Sequence, residues 1–87
     1  MSTIFITGAS SGMGKATAKL FAERGWQVIA ASRSIGNDTE LAAIENIETV
    51  TLDVTNAQEI RSVAAEVLSR FDVDVLFNNA GAVLFGR

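Results

Sequence analysis

The sequence has no cysteine and no histidine, which removes a disulfide framework, a thiolate metal site and an imidazole acid or base from the chemistries open to it. A chain without cysteine fits a reducing compartment, and the expected location is cytoplasmic. Positive charge is scarce too. Seven Lys and Arg stand against ten Asp and Glu for a net charge of −3, and no basic cluster of the kind that tracks a nucleic-acid backbone is present. The opening "MSTIFITG" lacks the basic head and long apolar stretch of a secretory signal, and no run reaches membrane-spanning length. Neither nucleic acid nor a membrane is therefore an expected partner.

The chain does have an ordinary globular composition, 48% hydrophobic and 20% charged over 87 residues. That length suits a single domain, residues 1–87, able to bury somewhat over 60% of its unfolded surface around a modest core. Its most informative stretch is "TGASSGMGKAT", residues Thr7 to Thr17. Two phosphate-binding devices compete for it. A P-loop, G-x-x-x-x-G-K-[ST], laid on Gly14 and Lys15 would need glycine where Ala9 stands and a hydroxyl where Ala16 stands. It fails at both. The remaining device is a glycine-rich strand-to-helix turn that presents backbone N–H groups and a positive dipole end to a pyrophosphate. Its spacing here is Gly8-x-x-x-Gly12-x-Gly14, and the flanking elements must decide whether it applies.

"TIFIT" reads as a buried strand that stops at Gly8, and Met13 to Arg24 as a helix with Ala16, Leu20 and Phe21 on one face and Gly25 as its C-terminal stop. "WQVIAAS" reads as a second strand covered on both faces. Between Ser34 and Asn46, Asp38 is a candidate cap for a short helix carrying Leu41 and Ile44. "IETVTLDV" is a third strand. The most regular helix follows, with Ile60, Val63, Ala64, Val67, Leu68 and Phe71 in one apolar stripe expected to lie in the core. Thr55 or Asn56 is placed to cap it, with Gln58 or Glu59 reciprocating. A fourth strand, "VDVLF", runs into "NNAG". Strand and helix alternating in this way predict an α/β fold: half of a doubly wound sheet, about four parallel strands in order 3-2-1-4 with flanking helices. Ligands of such sheets sit at the carboxyl ends of the strands where the order reverses, here between strands 1 and 4.

With that frame set, "TGASSGMG", the aspartate of "LDVT" and the strand-ending "NNAG" together resemble the N-terminal half of a short-chain dehydrogenase/reductase, and the resemblance covers essentially the whole chain. It implies a Rossmann-type dinucleotide site. Gly8, Gly12 and Gly14 would form the turn; Ser10, Ser11 and the backbone at Met13 would lie against the phosphates and adenosine ribose. Asp53 and the amide of Val54 would read the adenine edge, and Asn79, Ala80 and Gly81 would line the adenine ribose side. Thr7 and Asn78 would tie strands 1 and 4 together. At the end of the second strand "ASRS" offers Ser32 where a carboxylate would repel the 2′-phosphate of NADP, and Arg33 as a planar fork of donors for that phosphate. NADP is the expected cofactor, with NAD second.

The family's hydride transfer uses a tyrosine, a nearby lysine, a serine and an asparagine that lie beyond the fourth strand. This sequence has no tyrosine, its two lysines, Lys15 and Lys19, belong to the first helix, and no catalytic residue is assigned. The 87 residues thus resemble the cofactor-binding portion of an oxidoreductase, expected to be inactive alone; the other reading is a nucleotide-binding or self-assembling structural unit without chemistry. With no fifth strand beside it, "VDVLF" would be an exposed apolar edge, so self-association through that edge or the tail "AVLFGR" is expected. Blander roles are open for several residues. Asp53 could simply cap its turn, Asn78 could satisfy a strand end, Arg33 could be solvated, and Lys15 and Lys19 read as solvated helix-face residues.

Overall fold

The computed structural model describes residues 2–10, 12–35 and 38–78, together with the backbone of 81–84. Strand β1 (Thr3–Thr7) leads through the glycine turn into α1 (Gly12–Glu23), followed by β2 (Gln27–Ser32), the single-turn α2 (Thr39–Ala42), β3 (Ile47–Thr51), α3 (Ala57–Arg70), β4 (Val75–Asn78) and β5 (Gly81–Leu84). The sheet order is β3-β2-β1-β4-β5. Its first four strands are parallel, with Ile4 opposite Val28 and Val75, and Val28 opposite Ile47. This is the expected 3-2-1-4 arrangement, in which right-handed crossovers send α1 and α2 to one face and α3 to the other.

The alternation of side chains along each strand divides the core in two. Ile4, Ile6, Val28 and Ala30 point to the face covered by α1 and α2, where they meet Ala18, Ala22, Ile35 and Leu41. Phe5, Ile29 and Ala31 point to the opposite face and meet Leu52, Val67 and Val73. The first of these clusters holds Ile4, Ile6, Val28, Ala30 and Leu41 at zero exposure, each large side chain contributing roughly 1.5–3 kcal/mol of burial.

Helix ends follow from local chemistry. At the C-terminus of α1, Gly25 has φ +83°, its N–H donates to the Ala22 carbonyl and the Trp26 N–H to the Phe21 carbonyl. This paired closure comes with a contact between the same two flanking residues: the Phe21 and Trp26 rings pack edge to face with centroids 4.9 Å apart. Asp38 caps α2 by accepting from the Leu41 N–H at 3.0 Å, as its position predicts. Asn56 is the cap of α3, accepting from the Glu59 N–H at 3.1 Å. Glu59 does not reciprocate at the cap; its Oε1 accepts from the Asp53 N–H at 2.9 Å and fastens the end of β3 to the helix.

Three sequence expectations change. The third strand ends at Thr51; the Leu52 N–H still donates to the Ser32 carbonyl at 3.0 Å, and Asp53 and Val54 follow outside the strand, ahead of the cap of α3. The apolar stripe of α3 is only partly core: Val67 is buried, but Ile60 and Leu68 are 38% and 58% exposed and, with Ala64, line an apolar groove of about 250 Å³ against Phe5, Leu76 and Val73. Periodicity reports which side of a helix is apolar and not whether anything covers it. Finally, β4 is not an open edge. Residues 81–84 fold back antiparallel onto it, Val75 opposite Leu84 and Asn78 opposite Gly81, so the outer edge on this side is β5. No helix among the described residues is long and apolar enough to cross a membrane.

Candidate functional site

The turn after β1 is made by two glycines with different jobs. Gly8 takes φ +66°, a left-handed conformation that L side chains rarely adopt, and the next N–H, of Ala9, donates to the Ala31 carbonyl at 3.0 Å. The chain then doubles under α1. A Cβ on Gly14 would stand 2.2 Å from the Gly8 carbonyl oxygen and 2.9 Å from its carbon, whereas a Cβ on Gly12 would meet nothing within 4 Å. Gly14 is therefore required by the protein's own packing. Gly12 faces open space, which leaves its backbone approachable from outside.

Two hollows flank the turn at the carboxyl ends of β1, β2 and β3. The first, about 160 Å³, is lined by Gly8, Ser32, Arg33, Asp53, Val54 and Thr55, with Leu52 at its base. The second, about 330 Å³, is lined by Ser10, Lys15, Ser34, Asp38, Thr39 and Glu40. The consecutive residues Arg33 and Ser34 line one hollow each. Ser10 Oγ and Ser34 Oγ lie 3.3 Å apart across the second. In the first, Ser32 is 7% exposed and its Oγ has no hydrogen-bond partner among the described residues. A buried hydroxyl left without a partner costs about 1–3 kcal/mol, and the residue that carries it is part of the lining of this hollow at the edge of the sheet.

The structure thus brings Gly8, Arg33, Asp53 and Val54 to one hollow and Ser10 to the other. Met13 projects into solvent at 66% exposure. Gly81 pairs with Asn78 in the β4–β5 hairpin, and Ser11, Asn79 and Ala80 lie outside the described residues. Asp53 plays the capping role: its Oδ1 accepts from the Thr55 N–H at 2.9 Å and from the Thr55 hydroxyl at 2.6 Å. Those two bonds, the hydroxyl first, hold its carboxyl below the usual carboxylate range, with a smaller contribution from the Arg33 charge across the hollow. Thr7 and Asn78 stand near the mouth of the apolar groove. A tie between β1 and β4 lies at the other end of the strands, where the Thr3 N–H donates to Asp74 Oδ2 at 2.8 Å and the Asp74 N–H to the Thr3 carbonyl at 2.9 Å.

The lysines are not simply solvated. Lys15 Nζ bridges Asp38 Oδ2 at 3.1 Å and Glu40 Oε1 at 2.8 Å, and Lys19 Nζ holds Glu40 Oε2 at 2.5 Å. These pairs bind α1 to α2. Hydrogen bonds from Lys15 and then Lys19 lower the Glu40 carboxyl from 4.5 to about 2, and the same pairing raises Lys15. Ser34, Thr39 and the lysine–carboxylate cluster are site features that the sequence reading did not single out; their only signal was proximity to the capping Asp38.

A parallel sheet in order 3-2-1-4, a left-handed glycine turn into a helix and paired hollows at the strand ends define the first half of a doubly wound nucleotide-binding fold. Comparison makes the class specific. The family model described as short chain dehydrogenase matches residues 2–86, and the chain belongs to that family. It is 39% identical over 85 residues to a serine 3-dehydrogenase of Agrobacterium fabrum, covering 94% of this chain and 34% of that protein. Among solved structures, it matches the alcohol dehydrogenase of the archaeon Thermococcus sibiricus complexed with 5-hydroxy-NADP, at TM-score 0.78 and 32% identity over 87% of this chain and 35% of that one. A 4-hydroxyisoleucine dehydrogenase complexed with NADH matches at TM-score 0.78 and 28% identity, over 87% of this chain and 32% of that one. The chain spans about a third of the length of these relatives.

Proposed function

We propose that this chain is the NADP(H)-holding part of a short-chain oxidoreductase that transfers a hydride between nicotinamide and a carbonyl or alcohol carbon. The observation that carries the reading is Ser32, a buried hydroxyl without a hydrogen-bond partner among the described residues, standing beside exposed Arg33 in the lining of the hollow that also contains Gly8 and Asp53. A carboxylate at Ser32 would select the free ribose 2′-hydroxyl of NAD; a hydroxyl next to a guanidinium accepts a 2′-phosphate. Relatives of both kinds exist, since one matched structure carries an NADP derivative and another NADH.

Nicotinamide, when bound, supplies or accepts the hydride. This chain's residues do the holding. The open face of Gly12 and the N-terminal end of α1 take the pyrophosphate, with the Ser10 and Ser11 hydroxyls and the Met13 backbone beside it. Asp53, fixed by its bonds to Thr55, and Val54 bound the adenine, and Asn79, Ala80 and Gly81 complete the ribose side. With no tyrosine in the sequence, the 87 residues alone perform no turnover.

Calorimetric titration with NADP and NAD in one low-salt buffer tests this. Tighter binding of NADP, with the preference lost in Arg33→Asp, is the expected result; equal affinities, or an NADP preference that survives Arg33→Asp, would overturn the assignment. The second reading, a self-associating unit, draws on the outer edge of β5, which has no neighbour among the described residues. Sedimentation at micromolar concentration decides it, a monomeric mass refuting the association.

A further inference from the structure

The second hollow is not built like a plain anion site. Its hydroxyls, Ser10 and Ser34, and its one cation, Lys15, suit a phosphate monoester, but Asp38 and Glu40 line the same hollow and both hold Lys15 Nζ within 3.1 Å. Counting Lys15 against these two carboxylates leaves the lining with one excess negative charge, which Lys19 on the outer side of Glu40 only balances. A dianionic phosphate held at Arg33 and Ser34 would have Arg33 from the lining of the first hollow and this occupied lysine from the lining of the second as its cations.

We propose that Asp38 and Glu40 are specificity-determining residues, which set the preference for a 2′-phosphorylated nucleotide over one with a free 2′-hydroxyl by competing with the phosphate for Lys15. The inference rests on the proposed NADP reading and adds a counter-charge to it. Arg33 provides attraction, and the α2 carboxylates limit it. The arrangement also separates two roles of one short segment. Asp38 keeps its cap of α2 through Oδ1 while its Oδ2 faces Lys15, so charge at this position is adjustable without unwinding the helix turn.

The test measures affinities for adenosine 2′,5′-bisphosphate and for 5′-AMP, whose ratio isolates the 2′-phosphate, in the wild-type chain and in Glu40→Gln, Asp38→Asn and Lys15→Met. Removing one negative charge a few ångströms from a dianion is expected to tighten bisphosphate binding about fivefold at low salt, with AMP unchanged, and Lys15→Met to weaken it by about the same factor. The gain should shrink at high salt. A wild-type chain that prefers the bisphosphate, with a ratio unmoved in all three variants, overturns this proposal and leaves the NADP reading intact. Equal binding of the two nucleotides by wild type and variants overturns the NADP reading, and this proposal with it. Binding of neither nucleotide overturns both for this chain.

Discussion

The two faces of the sheet are built from the same strands, yet one is closed and the other is not. On the α1–α2 face, small residues of α1, Ala18 and Ala22, cluster with Ile4, Ile6, Val28 and Ala30, and the Lys15, Lys19, Asp38 and Glu40 pairs tie α1 to α2 and its cap. On the other face α3 is the one helix among the described residues. Val63, Val67 and Phe71 pack on the sheet, while Ile60, Ala64 and Leu68 on the same helix look into an apolar groove. Close approach through alanine and glycine finishes a face with two short helices; a single longer helix with bulky side chains leaves part of its own stripe uncovered.

The sharpest way to break this contrast is at the tightest contact of the closed face. Gly14→Ala forces a Cβ onto the Gly8 backbone and is expected to cost about 3 kcal/mol in urea unfolding, while Gly12→Ala leaves stability nearly unchanged and weakens nucleotide binding. If both glycines prove equally tolerant, the close packing of α1 on the turn is refuted. Next in size is a matched pair of truncations. Ile4→Ala, fully buried, should lose about 3 kcal/mol, and Leu68→Ala, more than half exposed, about 0.5 kcal/mol; similar losses would mean the groove is closed in solution. Asn56→Ala, which removes the cap of α3, should cost about 1 kcal/mol and accelerate hydrogen exchange in α3 ahead of α1.

The smallest expected effect is titration of the α1–α2 tie. Glu40 is depressed from 4.5 to about 2 chiefly by the Lys15 hydrogen bond, so its contribution is present above pH 4.5 and is lost as pH falls toward 2. Thermal melts from pH 6 downward, about four units in all, should show a decline that Glu40→Gln partly flattens and that 0.5 M salt, of the order that screens exposed pairs, reduces. A decline unaffected by either change would place the acid sensitivity elsewhere.

Much of the frame was legible because it rests on local rules. The bounds of β1, the stop at Gly25 and the Asp38 cap each follow from a residue and its immediate neighbours. What was not legible depends on contacts across the fold. Nothing in "IETVTLDV" says that Glu59 will take the Asp53 N–H or that pairing with β2 will stop at Thr51. Nothing in the lysines of α1 names acidic partners more than twenty residues away. The fold-back of Gly81–Leu84 onto β4 follows a stretch whose family likeness directed attention to a ligand and away from a hairpin. At the site, the glycine spacing and Ser32–Arg33 were readable as chemistry, whereas the carboxylates that hold Lys15 and Lys19 were visible only once α2 was placed beside α1.

The closure at Gly25 has a practical use. Trp26 is the single tryptophan of a chain without tyrosine, and its ring is held edge-on against Phe21 at the end of α1 farthest from the glycine turn. Intrinsic emission from this protein therefore comes from one fluorophore in one environment. Its wavelength reports whether α1 is seated on the closed face, whereas the groove beneath α3 has neither tryptophan nor tyrosine in its lining and is optically silent.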